Sequence, residues 1–115
     1  MIEIKFRAWN KVKKEMVTDA INNCKDSFEL ILKHPQIYEI MQYTGLKDKN
    51  GVEIYEGDIV DIPRGQVYFS KSMFGWFVEP SNTPSIKIAL YQFADHSEIK
   101  VIGDIYENPE LLEGE

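Results

Sequence analysis

Two turn signals only a few residues apart constrain this chain most. They lie within residues 41–62, MQYTGLKDKNGVEIYEGDIVDI. Asn50-Gly51 accepts the positive φ of a tight reversal, and Glu56-Gly57-Asp58 opens the apolar run Ile59 to Ile62. The stretch predicts a β meander and assigns no reaction.

On either side the pattern stays β. Ile2, Ile4, Phe6 and Ala8 alternate with Glu3, Lys5 and Arg7, the period-two signature of a half-buried strand over 2–8. The lysine-rich stretch Asn10 to Glu15 reads as a hairpin loop into a second strand, Met16 to Ile21. Phe28 to Leu32 is too short for periodicity to choose between strand and helix, and His34-Pro35 ends it. Residues 35–41 start either a short helix with Pro35 in its first turn or the lead into a strand through Tyr43. Gly45 to Gly51 reads as polar loop.

Downstream, Val52 to Tyr55 and Ile59 to Ile62 read as short strands, and Pro63-Arg64-Gly65 as a turn. Gln66 to Ser70 and Phe74 to Glu79 form the arms of a hairpin. Val67 and Phe69 share a face of the first arm, and Phe74, Trp76 and Val78 share a face of the second. After a loop with Pro80 and Pro84 come strands over Ile86 to Phe93 and Ile99 to Ile105. Asn108-Pro109-Glu110 supplies helix-start chemistry, with Asn108 as side-chain cap.

Short strands with turns every eight to twelve residues predict a mainly β fold, a small antiparallel β-barrel or curled sheet. An N-terminal β-hairpin and a short C-terminal helical turn complete it. Gly57 to Val78 would suit an SH3-like barrel in the C-terminal half, an analogy of fold alone. At 115 residues the chain is expected to be one domain, with 1–40 as hairpin and variable segment and 41–115 as barrel-like core.

Phe6-Arg7-Ala8-Trp9, the block Met41 to Val60 and the block Val101 to Leu112 together resemble the YopX family of small phage- and prophage-encoded proteins. Asp104 stands where the family pattern leads one to expect asparagine, and Asn22 to Glu39 aligns with nothing in it. The resemblance implies a phage or prophage accessory protein, a mainly β fold and life in the bacterial cytoplasm. It brings no catalytic residue with it.

The chemistry-bearing residue types are sparse. One cysteine, Cys24, excludes an internal disulfide, and with His34 and His96 far apart it offers no zinc-ligand spacing. Asp48-x-Asn50-Gly51 resembles the start of a calcium loop, yet Ile59 occupies the closing-glutamate position. Asp95-His96-Ser97 is contiguous, and sequence neighbours seldom converge on one reacting atom. Pairs such as Glu53 and Glu56 are ordinary in an acidic chain. No enzyme activity, metal or cofactor is expected.

The net charge of −6 disfavours nucleic acid and anionic membranes, although residues 5–14 carry five basic groups and no acid. No apolar run approaches the roughly 20 residues of a membrane span, and MIEIKFRAW lacks a signal-peptide plan, so a cytoplasmic location is expected.

What remains is an aromatic surplus. Strict alternation cannot place Trp76 and Phe77 in one core face, so either ring is a contact candidate, against the simpler reading that both fill a two-faced core. Arg7 and Trp9 line up with Lys5 on one strand face, a surface on which a single-stranded nucleic acid would stack; the simpler reading has Trp9 closing the core. The candidate binding residues are Arg7, Trp9, Trp76 and Phe77. The expected function is a non-enzymatic module that contacts a protein partner or a second copy of itself. A small nucleic-acid binder is the alternative, and a diverged hydrolase comes last.

Overall fold

A computed structural model describes residues 4–18, 25–61, 64–81, 86–90 and 99–113, with 25–28 described by backbone alone. The protein is mainly β and divides into two compact units, Met1–Tyr43 and Thr44–Glu115.

In the first unit β1 (Phe6–Asn10) lies between β2 (Glu15–Val17) and the first part of β3 (Tyr38–Lys47), all antiparallel. Ala8 stands opposite Val17 on one side and Ile40 on the other. That register puts Phe6, Ala8, Val17, Tyr38 and Ile40 on one face, where they pack with Ile31 of the helix α1 (Lys25–Leu32). The expected N-terminal hairpin is present with shifted arms. Among the described residues the first strand begins at Phe6, after Ile4, which is 73% exposed, and the second ends at Val17; residues 2, 3 and 19–21 of the expected arms lie outside the described set. The reversal is fixed by Asn10, whose Oδ1 accepts from the backbone N–H groups of Val12 and Lys13 at 3.0 and 2.9 Å. Lys14 takes a left-handed φ of 58° and donates its N–H to the Asn10 carbonyl.

The ambiguous run Phe28 to Leu32 is helical. Leu30 and Leu32 stay exposed, and the buried Ile31 anchors it. Beyond the helix, the His34 carbonyl accepts from both Ile37 and Tyr38, turning the chain directly into β3. Of the two readings of residues 35–41, the strand is therefore correct.

In the second unit β3 continues beside β4 (Glu53–Tyr55), and Thr44 Oγ1 donates to the Ile54 carbonyl at 2.7 Å. The expected loop Gly45 to Gly51 thus starts only at Asp48, because Leu46 is drawn into the core. A curled, half-barrel sheet follows in the order β8-β7-β6-β5-β9, formed by β5 (Asp58–Asp61), β6 (Arg64–Ser70), β7 (Gly75–Pro80), β8 (Ile88–Ala89) and β9 (Val101–Asp104). Ile54, Val60, Val67, Val78, Leu90 and Ile99 are fully buried together, with Leu46, Trp76 and Val101 against them. Ile59, on the opposite face of β5 from Val60, is also fully buried, which explains why this strand reads as a continuous apolar run.

Gly51 and Gly57 have φ of 82° and 88°, as their turn positions predicted. Several boundaries differ. Arg64 and Gly65 belong to β6 because Asp61 already pairs with Arg64; residues 62 and 63 are outside the described set. Ile86 is half exposed and precedes β8, while the rest of that expected strand, 91–93, is not among the described residues. The C-terminal helical turn is a 3-10 helix, Pro109–Leu112, without a side-chain cap. Asn108 Oδ1 instead accepts from the Asp104 N–H, while Asp104 Oδ1 accepts from Tyr106 and Glu107 at 2.9 and 2.8 Å. An asparagine at 104 would offer the same accepting oxygen, so the departure from the family pattern costs the turn nothing.

Asp48 joins distant segments. Its Oδ1 accepts from Asn50 and Val52 and its Oδ2 from Val101, all at 2.8–2.9 Å. Burial alone would raise its pKa. The three backbone donors, helped by Lys100, more than offset that and hold it below the ordinary value of 3.8. Asp48→Ala should destabilise the protein by roughly 3 kcal/mol in urea unfolding, since it strands three N–H groups. Asp48→Asn should cost less, because its one oxygen can serve Asn50 and Val52 while its amide opposes the Val101 N–H. A depressed folded-state pKa means that the contribution is whole above about pH 5 and is lost as pH falls through the folded value. A pH dependence of stability between pH 5 and 3 that survives in Asp48→Asn would contradict this assignment.

At Gly65 an added Cβ would meet the Glu79 carbonyl oxygen at 2.5 Å and Pro80 Cα at 2.9 Å, both backbone atoms that cannot swing aside. Gly65→Ala should therefore lower stability by about 1–3 kcal/mol, visible as a drop in Tm.

Candidate functional site

The sequence-predicted residues divide by burial. Trp9 is 8% and Phe77 9% exposed, so each offers little ring to a partner; Arg7 and Trp76 are half-buried. Trp76 packs on the core of the second unit, and Phe77 lies on the opposite face of β7, opposed to Tyr68 with ring centroids 6.3 Å apart. Both faces of the hairpin hold rings.

The basic stripe is engaged within its own unit. Arg7 Nε donates to Met41 Sδ at 3.5 Å, Lys5 Nζ lies 5.7 Å from the Tyr43 ring centroid, and Lys11 Nζ is 3.2 Å from Glu39 Oε1. The Lys11 pair is exposed and contributes at most about 1 kcal/mol. With Trp9 buried, stacking of a base on this strand has no open ring to use. Cys24, Asp95, His96 and Ser97 lie outside the described residues. Among those described, no group of three His, Cys, Asp or Glu is arranged to hold a metal, and no helix is long and apolar enough to cross a membrane.

Exposed apolar area gathers instead at the tip of the β6–β7 hairpin. Phe69 is 42%, Met73 58% and Phe74 84% exposed. Phe69 stands opposite Trp76 with the rings edge-on at 5.2 Å, a pairing that contributes about 0.5–1.5 kcal/mol beyond its area. The turn residues are Lys71 to Phe74, because Ser70 pairs with Gly75. Ser70 Oγ accepts from the Met73 N–H at 3.3 Å. Phe74 then closes the turn with φ of 51°.

This is the device of the first hairpin repeated. Asn10 and Lys14 occupy the places of Ser70 and Phe74, and each loop is four residues long. A left-handed backbone costs a bulky residue about 1–2 kcal/mol. At the tip that cost falls on a phenylalanine whose ring is in water, so local stability gives no reason for the choice. Sequence alternation missed the three tip residues because it placed Phe74 in the strand arm. The polar run Ser70-Lys71-Ser72 before Met73-Phe74-Gly75 is the signal that moves Phe74 into the turn.

Fold and site together define a small, mainly β protein whose described surface carries an exposed aromatic and methionine tip. The model of the family described as YopX protein matches residues 5–113, and the chain belongs to that family. A crystal structure of protein EF1440 from Enterococcus faecalis is similar over 98% of this chain and 100% of that one, with 29% identity and a TM-score of 0.61. No curated protein matches the chain.

Phe74→Gly should leave Tm unchanged or raise it, by an equivalent of up to about 1 kcal/mol, since glycine takes this φ without strain. A clear loss of stability on thermal unfolding would mean that the ring is structural.

Proposed function

We propose that this YopX-family chain is a phage or prophage accessory protein of the bacterial cytoplasm, a non-enzymatic module that works by contact with a protein. The contact surface is the β6–β7 tip, with Phe74 and Met73 as anchors and the Phe69–Trp76 pair beneath them. Within this reading the antiparallel strands of the second unit act as an SH3-like binding barrel. The observation that carries the proposal is Phe74, held in a strained backbone conformation and 84% exposed. Strain retained where stability gains nothing is a mark of functional positions. Rigid rings and methionine, gathered in one place, are the residue types that dominate contact energies. Phage origin and cytoplasmic location are supported by the family resemblance, the contact role by the tip.

A second copy of the chain is the first partner to test. Size-exclusion chromatography with light scattering across a hundredfold concentration range should show reversible dimerisation, weakened at least tenfold by Met73→Ser with Phe74→Ser. A strict monomer removes self-association. A dimer indifferent to both substitutions places the contact elsewhere and refutes the tip.

A further inference from the structure

The base of the same hairpin carries a different feature. Gln66, Glu79, Pro80, Ser81 and Leu112 of the 3-10 helix line an open depression of about 190 Å³. That is below the roughly 300–1,000 Å³ of drug-sized ligand sites and suits one side chain. Gln66 and Glu79 are opposed across β6 and β7.

The Glu79 carboxylate, the Gln66 amide oxygen and the Ser81 hydroxyl are three acceptors among the lining side chains, and an ammonium group carries three donors and no acceptor. Pro80 and Leu112 add apolar wall for a methylene stem, the arrangement in which a long basic side chain buries its carbons and keeps its charge satisfied. No basic side chain among the described residues forms an ion pair with Glu79, and the net charge of −6 attracts cations.

We propose that this depression is a recognition pocket for a primary ammonium on an aliphatic stem, supplied by a lysine side chain of a partner polypeptide. The pocket does not depend on the contact role of the hairpin tip. Phe69 and Trp76 occupy the other sheet face, and the pocket residues lie at the far end of the strands.

The test is an amide-resolved NMR titration of the full chain with Nα-acetyl-lysine methylamide, alongside the norleucine analogue that lacks the ammonium. Saturable shifts at Gln66, Glu79 and Leu112 with the lysine probe alone are expected. Glu79→Gln should weaken binding at least tenfold and Ser81→Ala severalfold. Both variants change little side-chain volume, and Tm measured for each shows that they fold. Equal shifts from the two probes, or unchanged affinity in Glu79→Gln, overturn the proposal. Pentylammonium that binds tighter than the lysine probe overturns the polypeptide source and assigns the pocket to a free amine. Repeating the titration in Phe74→Ser separates the two sites: binding persists there whether or not the tip makes contacts.

Discussion

The second unit depends on one buried carboxylate. Asp48 gathers the N–H groups of its own turn through one oxygen and that of Val101, 53 residues on, through the other. Beside it, Lys49 donates to the Ile99 carbonyl. A turn that would otherwise be local becomes the clamp on the last strand, and β9 is thereby covered along part of an edge that would be open to foreign strands. Fully charged, hydrogen-bonded acceptors are strong because the alternative is an unpaired donor in a dry place.

The rest of the unit follows from how short strands are turned. Gly51 and Gly57 reverse the chain where positive φ is free, while Lys14 and Phe74 do so where it costs energy. In the lysine hairpin the exposed residue is long and charged, the usual surface choice. In the Phe74 hairpin it is a large ring. Two loops of the same geometry therefore separate what the turn requires, an accepting side chain before it and a left-handed residue at its end, from what it does not require. The ring at position 74 is in the second class, and that gives the tip its meaning. At the base of the same hairpin the side chains of Glu79, Gln66 and Ser81 form the opposite kind of surface, polar and recessed.

Much of the fold was legible in residue order. Alternation in Phe6 to Ala8, the dipeptides Asn50-Gly51 and Glu56-Gly57, and the continuous run at Ile59 announce strands and reversals through chemistry local to a few residues. Boundaries were less so. Gly45 to Lys47 looked like loop and is strand, because Thr44 and Leu46 are held by Ile54 and the core. Asn108 had cap chemistry, but its oxygen was taken by the Asp104 N–H. The candidate site was legible only as a surplus of rings between 68 and 93. Trp9 and Phe77 were reasonable contact candidates by type, yet burial is not a local property and alternation shows only which residues share a face.

Sequence by itself therefore determined that this chain is a β protein of the YopX type with reversals at its glycines, because turn chemistry and period-two patterning act within four or five residues. Tertiary structure alone decided which rings meet water, that Asp48 bonds across the chain to Val101, and that Gln66, Glu79 and Ser81 share a surface. Each of those depends on strand register, which is set by the packing of whole strands against one another.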